Sequence, residues 1–278
     1  MAPLQPANAG PLAEPDAETA RRAASHITVE NLCKRFGDTE VLSGIDMDIR
    51  RGNIAVIIGG SGAGKTTLLR ILIGLDRPTS GTICINGMDI ARLSERELNR
   101  VRRKFGMVFQ YSALLDSMTV LDNVAFPLRE HTKLKEREIR ARVSDKLKTL
   151  RLEGTENRYP SQLSGGMRKR VALARALMLE PEVIMYDEPT SGLDPITSRM
   201  VDDLITETRD RFGVTSIVIS HDMAGAMQIA DQIYLLHKGK IVASGSPAEL
   251  LTSNEPLFHE FMKSSGITAD EPVLASGR

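Results

Sequence analysis

A glycine-rich loop between an apolar segment and an amphipathic one constrains the fold of this 278-residue chain more than any other feature. Asn53 to Ile58 is an almost continuous apolar run, typical of a strand that is buried on both faces of a parallel sheet. Gly59 to Thr66 follows with the sequence GGSGAGKT, which fits the pattern G-x-x-x-x-G-K-[ST]. Lys65 to Leu75 then carries leucine and isoleucine at helical spacing. This order of strand, loop and helix predicts a phosphate-binding loop.

The residue types in this loop suit a bound phosphate. Glycines allow successive backbone N–H groups to turn toward an anion at the positive end of a helix. Lys65 adds a mobile positive charge, and the hydroxyl of Thr66 is a hard oxygen ligand for Mg²⁺. The alternative is a flexible glycine-serine turn with a chance lysine. The residues expected to bind the nucleotide are Gly59, Gly60, Ser61, Gly62, Ala63, Gly64, Lys65, Thr66 and Thr67.

A second apolar run, Val183 to Tyr186, ends in two acidic residues, Asp187 and Glu188. A buried strand that brings a carboxylate to its tip is what a phosphate-bound Mg²⁺ requires, so we predict that Asp187 holds the metal through water. Glu188 is then placed to orient or deprotonate the attacking water. The alternative is two solvated acids at the end of a strand.

A second loop of serine and glycine, Leu163 to Met167, precedes a basic helix predicted over Arg168 to Leu179. By the same dipole argument, Ser164, Gly165 and Gly166 form a second anion site. One nucleotide does not need two such loops from one chain, and a kinase has no use for the second. We therefore predict a head-to-tail pair of chains in which each covers the nucleotide of the other. The alternative for the basic side chains is a solvated helix face, which we favour for Lys169.

Composition excludes several classes of protein. The chain has 36 Lys+Arg and 36 Asp+Glu, 4% aromatic residues and no Trp, so neither charge nor stacking platforms favour binding to nucleic acid. No apolar run approaches the roughly 18 residues of a membrane-spanning helix. Cys33 and Cys84 are too few for a disulfide framework and are interpreted as buried thiols of a cytoplasmic protein.

The pattern along the chain predicts an α/β fold with a largely parallel sheet. Ile27 to Leu32 and Val41 to Ile49 alternate in polarity around a turn at Phe36-Gly37-Asp38, which predicts an antiparallel hairpin. Leu114 to Arg158 has helical periodicity and no strand signal, so it is predicted to be an inserted helical subdomain. Residues 1–25 are expected to be a disordered lead and residues 264–278 a flexible tail.

From about Ile27 to Lys263 the chain resembles the ATP-binding-cassette (ABC) ATPases. The Walker A loop is Gly59–Thr66, the signature is Leu163–Met167, and the Walker B strand is Val183–Asp187. The resemblance implies a P-loop NTPase fold with a RecA-like mixed sheet, an N-terminal antiparallel β subdomain and a helical subdomain of about 112–166, within a nucleotide-binding domain of residues 26–263. It also implies ATP hydrolysis with Mg²⁺.

The same resemblance assigns roles to further residues. Gln110 matches the Q-loop residue in the shell of the Mg²⁺ and the lytic water, and Ser191–Asp194 matches the D-loop. His221 matches the switch histidine at the γ-phosphate, and Phe36 stands where the family places an aromatic ring on adenine; packing on the core is the alternative for Phe36. Met167 departs from the usual glutamine of the signature.

Three short stretches narrow the resemblance to the ATPases of Mla-type and Mce-associated lipid transporters: Asn123–Thr132, Met167 and Asp194–Thr197. It implies a complex at the cytoplasmic face of the inner membrane, which moves phospholipid and contains two ATPases, a permease dimer, an MCE-domain lipid-binding protein and, in some systems, a small STAS-domain subunit. The alternatives are an amino-acid or metal importer, or a P-loop ATPase outside transport.

The apolar side chains between Leu114 and Val120 are unusual for a solvated loop. In this architecture they lie where a permease docks, so contact with the permease explains them. Local packing against Val124 and Phe126 is the alternative.

Overall fold

Residues 25–265 are described by the computed structural model, so the expectations for the first 24 residues and for the tail beyond residue 265 lie outside the described part of the chain. Within it the chain forms a four-stranded antiparallel sheet and a six-stranded mixed sheet. In the mixed sheet five strands run parallel in the order β9-β3-β8-β7-β6, and β10 pairs antiparallel with β9 at the edge. The predicted α/β fold with a mixed sheet and an N-terminal antiparallel unit is confirmed.

The strands are β1 (Ser25–Phe36), β2 (Thr39–Arg50), β3 (Ile54–Ile58), β4 (Ser80–Ile85), β5 (Met88–Asp89), β6 (Phe105–Val108), β7 (Val183–Asp187), β8 (Thr215–Ser220), β9 (Gln232–His237) and β10 (Lys240–Gly245). The helices are α1 (Lys65–Leu72), α2 (Glu95–Arg102), α3 (Val120–His131), α4 (Glu136–Thr149), α5 (Gly165–Ala176), α6 (Pro195–Phe212), α7 (Met223–Ile229), α8 (Pro247–Leu251) and α9 (Pro256–Ser264). Among these described helices, none has the length and apolar character needed to cross a membrane.

Strand β3 is buried on both faces, as its apolar sequence predicts. Ile54, Val56 and Ile58 point into one hydrophobic cluster, which is shared with α3 to α7. Ala55 and Ile57 point into a second cluster, which is shared with α1 and the antiparallel sheet. The loop at the end of β3 is therefore held by a strand packed from both sides.

The prediction that Cys33 and Cys84 are buried is wrong: neither forms a disulfide, and both side chains are only half-buried. Cys84 lies between the buried Ile83 and Ile85 on β4, because alternate side chains of the antiparallel sheet face away from the core.

Helix α5 begins at Gly165, three residues earlier than predicted. The reason is a side-chain cap, since the Ser164 hydroxyl accepts a hydrogen bond from the backbone N–H of Met167 at 3.3 Å. The glycines of the signature therefore form the first turn of the helix rather than a loop before it.

The apolar residues after Gln110 divide between the core and the surface. Val120 is fully buried beside Val124, and Leu114 packs on the same cluster, which confirms local packing for these residues. Phe126, in contrast, is 39% exposed and is not part of this cluster. It lies on the outer face of α3, while Leu115 is also exposed.

A buried acid lies between α6 and α7. Asp202 is only 5% exposed, and a Cβ on Gly225 would lie 2.8 Å from its Oδ2 atom, so the two helices approach closely at this point. Burial, together with the nearby carboxylates of Asp222 and Asp203, raises the pKa of Asp202 to about 7.

This shift predicts a pH dependence of stability. The unfolded chain releases the proton of Asp202 near pH ~4 while the folded protein keeps it to about pH 7, so the free energy of unfolding falls as the pH rises through this window. Asp202→Asn should remove that loss and stabilise the protein at pH 8 by on the order of 1–4 kcal/mol, with a smaller gain at pH 5. Urea unfolding at both pH values measures it. Asp145→Asn, the same change at an exposed position on α4, is the control, and an equal gain from both variants would contradict the prediction.

Candidate nucleotide site

The glycine-rich loop joins the end of β3 to the first turn of α1. Gly62 and Gly64 have φ values of 75° and 107°, which favour glycine, and Gly64 is the N-cap of α1 without a side-chain cap. The backbone N–H groups of this first turn therefore lack a side-chain acceptor at the N-cap, which suits an anion at the positive end of the helix.

The glycines of the loop serve different purposes. A Cβ on Gly59 would lie 2.3 Å from the carbonyl oxygen of Leu236 on β9, whereas a Cβ on Gly60 would meet nothing within 4 Å. The close approach of β9 therefore requires glycine at position 59, because no side chain fits there. The sequence pattern alone attributes all of these glycines to phosphate binding.

Lys65, Glu188 after β7 and His221 after β8 form a group of side chains in contact with one another. The Lys65 ammonium donates to the carbonyl oxygen of Gly59 at 2.7 Å and lies 3.5 Å from Oε1 of Glu188. The other carboxylate oxygen of Glu188 lies 2.6 Å from Nδ1 of His221. The parallel alignment of β3, β7 and β8 places these side chains at one edge of the sheet.

Glu188 has a left-handed backbone with φ of 48°. Its N–H donates to the carbonyl oxygen of Ile219 on β8 at 2.9 Å, which anchors the residue immediately after β7. A non-glycine residue in this region carries backbone strain of about 1–3 kcal/mol and turns its side chain away from the strand direction. The conformation directs the carboxylate toward Lys65 and His221.

A cleft of about 570 Å³ brings together most of the residues predicted from the sequence. It is lined by Val41, Gly60, Ser61, Gly62, Ala63, Gly64, Lys65, Thr66, Thr67, Gln110, Glu188, Ser191 and His221. Gln110 donates from Nε2 to the Ser191 hydroxyl at 3.0 Å across the cleft. Asp187 lines an adjoining groove together with Thr66. Burial, followed by the charge of Glu188, raises the pKa of Asp187.

Some predicted site residues lie elsewhere. Ser164, Gly165 and Gly166 are outside the described lining of this cleft, at the start of α5. Phe36 is also outside it; its ring is 51% exposed, with the Lys34 ammonium 4.7 Å from the ring centroid.

For three residues near the cleft, the sequence pattern does not predict the position or contacts that the structure shows. Lys169 is not on a solvated face: it is 7% exposed and its ammonium donates to the carbonyl oxygen of Gln110. The error arises because α5 packs this side against the loop after β6, which the helical pattern does not show. Val41 reaches the cleft from β2 without a motif of its own. The sequence assigns Ser191 only to the D-loop, although it also binds Gln110.

The sequence profile of the ABC transporter family matches residues 42–191, which is more than half of the chain. The chain belongs to the ABC transporter ATPases. It has the nucleotide-binding domain of that family and is an ATPase.

Two curated relatives of this ABC ATPase are 43% identical. One is the "Intermembrane phospholipid transport system ATP-binding protein MlaF" of Haemophilus influenzae, matched over 247 residues that cover 89% of this chain and 92% of the relative. The other is the "Probable ribonucleotide transport ATP-binding protein mkl" of Mycobacterium leprae, matched over 236 residues that cover 85% of this chain and 68% of the relative.

A solved structure shows how such cassettes associate. It is the ATP-binding cassette MJ0796, in a dimeric post-hydrolysis state bound to ADP and Pi. Its sequence is 34% identical to this chain and the TM-score is 0.70. The match covers 80% of this chain and 98% of the MJ0796 chain. Cassettes of this family thus dimerise and bind nucleotide.

The contrast between Gly59 and Gly60 gives a matched test of the loop. Gly59→Ala should lower the free energy of unfolding by roughly 2 kcal/mol or more, because the new methyl group would overlap the Leu236 backbone. Gly60→Ala should change it by less than about 0.5 kcal/mol in the absence of nucleotide. Urea unfolding of both variants measures the difference. Equal stability of the two would show that β9 does not impose the glycine at position 59.

Proposed function

We propose that this ABC ATPase drives phospholipid transport at the cytoplasmic face of the bacterial inner membrane. The observation that carries the proposal is the match to MlaF, which extends over 92% of that relative at 43% identity. The match to mkl has the same identity but covers 68% of a longer protein. The short stretches noted in the sequence, Asn123–Thr132, Met167 and Asp194–Thr197, support the same assignment.

In the proposed reaction the loop N–H groups and Lys65 hold the β- and γ-phosphates of ATP. Glu188 orients and deprotonates the water that attacks the γ-phosphate in line, and His221 donates a hydrogen bond toward the charge that develops there. The contacts of Lys65 and His221 with Glu188 support this arrangement, because all three reach the same point of the cleft. The ring of Phe36 stacks on adenine.

The donor set fits Mg²⁺, which prefers oxygen ligands. We propose that Thr66, Gln110 and Asp187 hold it, and that it supplies charge neutralisation at the phosphates. The raised pKa of Asp187 supports this assignment, since burial disfavours a lone carboxylate and a cation would offset the cost.

We further propose that two copies assemble head to tail. Ser164, Gly165 and Gly166 lie at the N-terminus of α5, outside the described lining of their own chain's cleft, and would cover the nucleotide bound by the second copy. The dimeric MJ0796 cassette supports this mode of association.

The membrane partner is proposed to be a permease dimer, with an MCE-domain lipid-binding protein and, as in some systems of this type, a STAS-domain subunit. An apolar groove of about 360 Å³ beside the cleft provides a docking surface, with Leu75 54% and Phe109 41% exposed. Further along the chain, after Gln110, Tyr111 and Leu115 are also exposed. It replaces the predicted contact at Val120, whose side chain is buried.

The catalytic part of the proposal predicts the behaviour of Glu188→Gln. Loss of the carboxylate base should lower kcat by about 100-fold or more while ATP affinity stays within about threefold. Steady-state hydrolysis and equilibrium binding of a fluorescent ATP analogue measure the two effects. Glu180→Gln, at another left-handed glutamate that is largely exposed, is the matched control. Turnover at the wild-type level in the Glu188→Gln variant would overturn the role of Glu188.

The lipid assignment is tested by capturing the slow Glu188→Gln variant from detergent-solubilised membranes of its own cell. We expect a permease and an MCE-domain protein to accompany it, with phospholipid enriched over the bulk membrane by mass spectrometry. We also expect the purified wild-type complex to move labelled phospholipid between vesicles in an ATP-dependent manner. A complex that instead contains a binding protein for an amino acid or a metal, without phospholipid enrichment, would favour the importer alternative.

A further inference from the structure

The loop that carries Gln110 has an unusual backbone. Immediately after Gln110 and Tyr111, the non-glycine residues Ser112 and Ala113 both have left-handed conformations, with φ of 65° and 45°. Ser112 is also buried, at 4% exposure. A left-handed backbone is unfavourable for a non-glycine residue, so the surrounding structure must hold the loop in place.

Two cationic side chains of α5 hold it. The Lys169 ammonium donates to the carbonyl oxygen of Gln110. The Arg175 guanidinium donates to the carbonyl oxygen of Ala113 at 2.7 Å and to that of Ser112 at 3.0 Å. Charge-assisted hydrogen bonds of this kind are stronger than neutral ones, and the guanidinium fork fixes the spacing of two carbonyls.

The attachment is rigid because α5 also packs closely on the strand before the loop. A Cβ on Gly106, in β6, would lie 2.9 Å from the carbonyl oxygen of Ala176 at the end of α5. The loop is thus fixed to α5 by its carbonyl groups, and β6 is fixed to the same helix by direct backbone approach.

The two ends of this unit reach different sites. The first turn of α5 contains the signature glycines Gly165 and Gly166, capped by Ser164. The Gln110 side chain lies in the chain's own cleft, where it donates to Ser191. The same helix therefore carries the signature and supports the loop of Gln110.

We propose that Lys169 and Arg175 are positioning residues: by fixing the Gln110 loop to α5, they hold the Gln110 side chain in the cleft, where it contacts Ser191. The inference rests on the proposed role of Gln110 in holding Mg²⁺. Neither side chain lines the cleft in the described part of the chain, so both act through the loop. A small misplacement of a group in the reaction site lowers turnover strongly, and loss of a supporting contact costs about 10- to 100-fold.

The test compares Lys169→Met with Lys169→Arg in the full-length chain. The methionine variant should lower kcat about tenfold or more, with binding of a fluorescent ATP analogue within about twofold of wild type, and the arginine variant should recover most of the loss. Lys148→Met, the same change at an exposed position on α4, should leave hydrolysis unchanged. Turnover of Lys169→Met within twofold of wild type would overturn the proposal.

A double-mutant cycle separates positioning from general structure. If Lys169 acts through Gln110, Lys169→Met should lower kcat by less than about twofold in a Gln110→Ala background. Hydrogen exchange gives a readout independent of activity: amides 110–115 should exchange faster in Lys169→Met while those of α4 are unchanged. An equal fold-loss of kcat from Lys169→Met in the wild-type and Gln110→Ala backgrounds would overturn the inference. Unchanged hydrogen exchange in the loop would also overturn it.

Arg175→Lys provides a second variant should Lys169→Met fail to fold. It keeps the charge but loses the fork that spans two carbonyls, so we expect the same pattern of kcat, binding and coupling to Gln110. An unchanged kcat would overturn the proposal. A wild-type kcat in the single variant Gln110→Ala would instead contradict the proposed role of Gln110, and phospholipid-free complexes would affect only the cargo, so the three failures are distinguishable.

Discussion

The parallel alignment of β3, β7 and β8 is the constraint on which the site depends. Their carboxyl ends meet at one edge of the sheet, so the loop after β3, Glu188 after β7 and His221 after β8 become neighbours although they are far apart in sequence. The alignment is maintained by burial on both faces, because the alternate side chains of β3 enter two different hydrophobic clusters. Hydrophobic packing of this kind fixes strand register, and register fixes the site.

The site combines rigid and strained elements. Gly59 is pressed against the backbone of β9, which keeps the start of the phosphate loop in place. Glu188 and the loop after Gln110 have left-handed backbones that the surrounding contacts maintain. Such strain persists only where contacts with neighbouring elements hold the conformation in place. Here β8 holds Glu188, and α5 holds the Gln110 loop.

Much of the fold and of the candidate site could be predicted from local pattern. The pattern predicts β3 and β7 to within one residue at each end, and it identifies the phosphate loop because strand, glycines and helix occur in a fixed order. Residues without a motif are missed or misplaced. Val41 reaches the cleft only through the packing of the two sheets, and Lys169 resembles a surface cation because helical periodicity does not reveal which neighbour covers a helix.

The sequence by itself determined the chemistry that the chain can perform, because the residues of the phosphate loop, the acidic end of β7 and the signature occur in short, specific patterns. Only the tertiary structure decided which of those residues meet. It placed Lys65, Glu188 and His221 in one contact group, kept Ser164 away from that cleft, and joined Lys169 to Gln110. The physical reason is that contacts between distant residues depend on sheet register and helix packing, which short patterns do not contain.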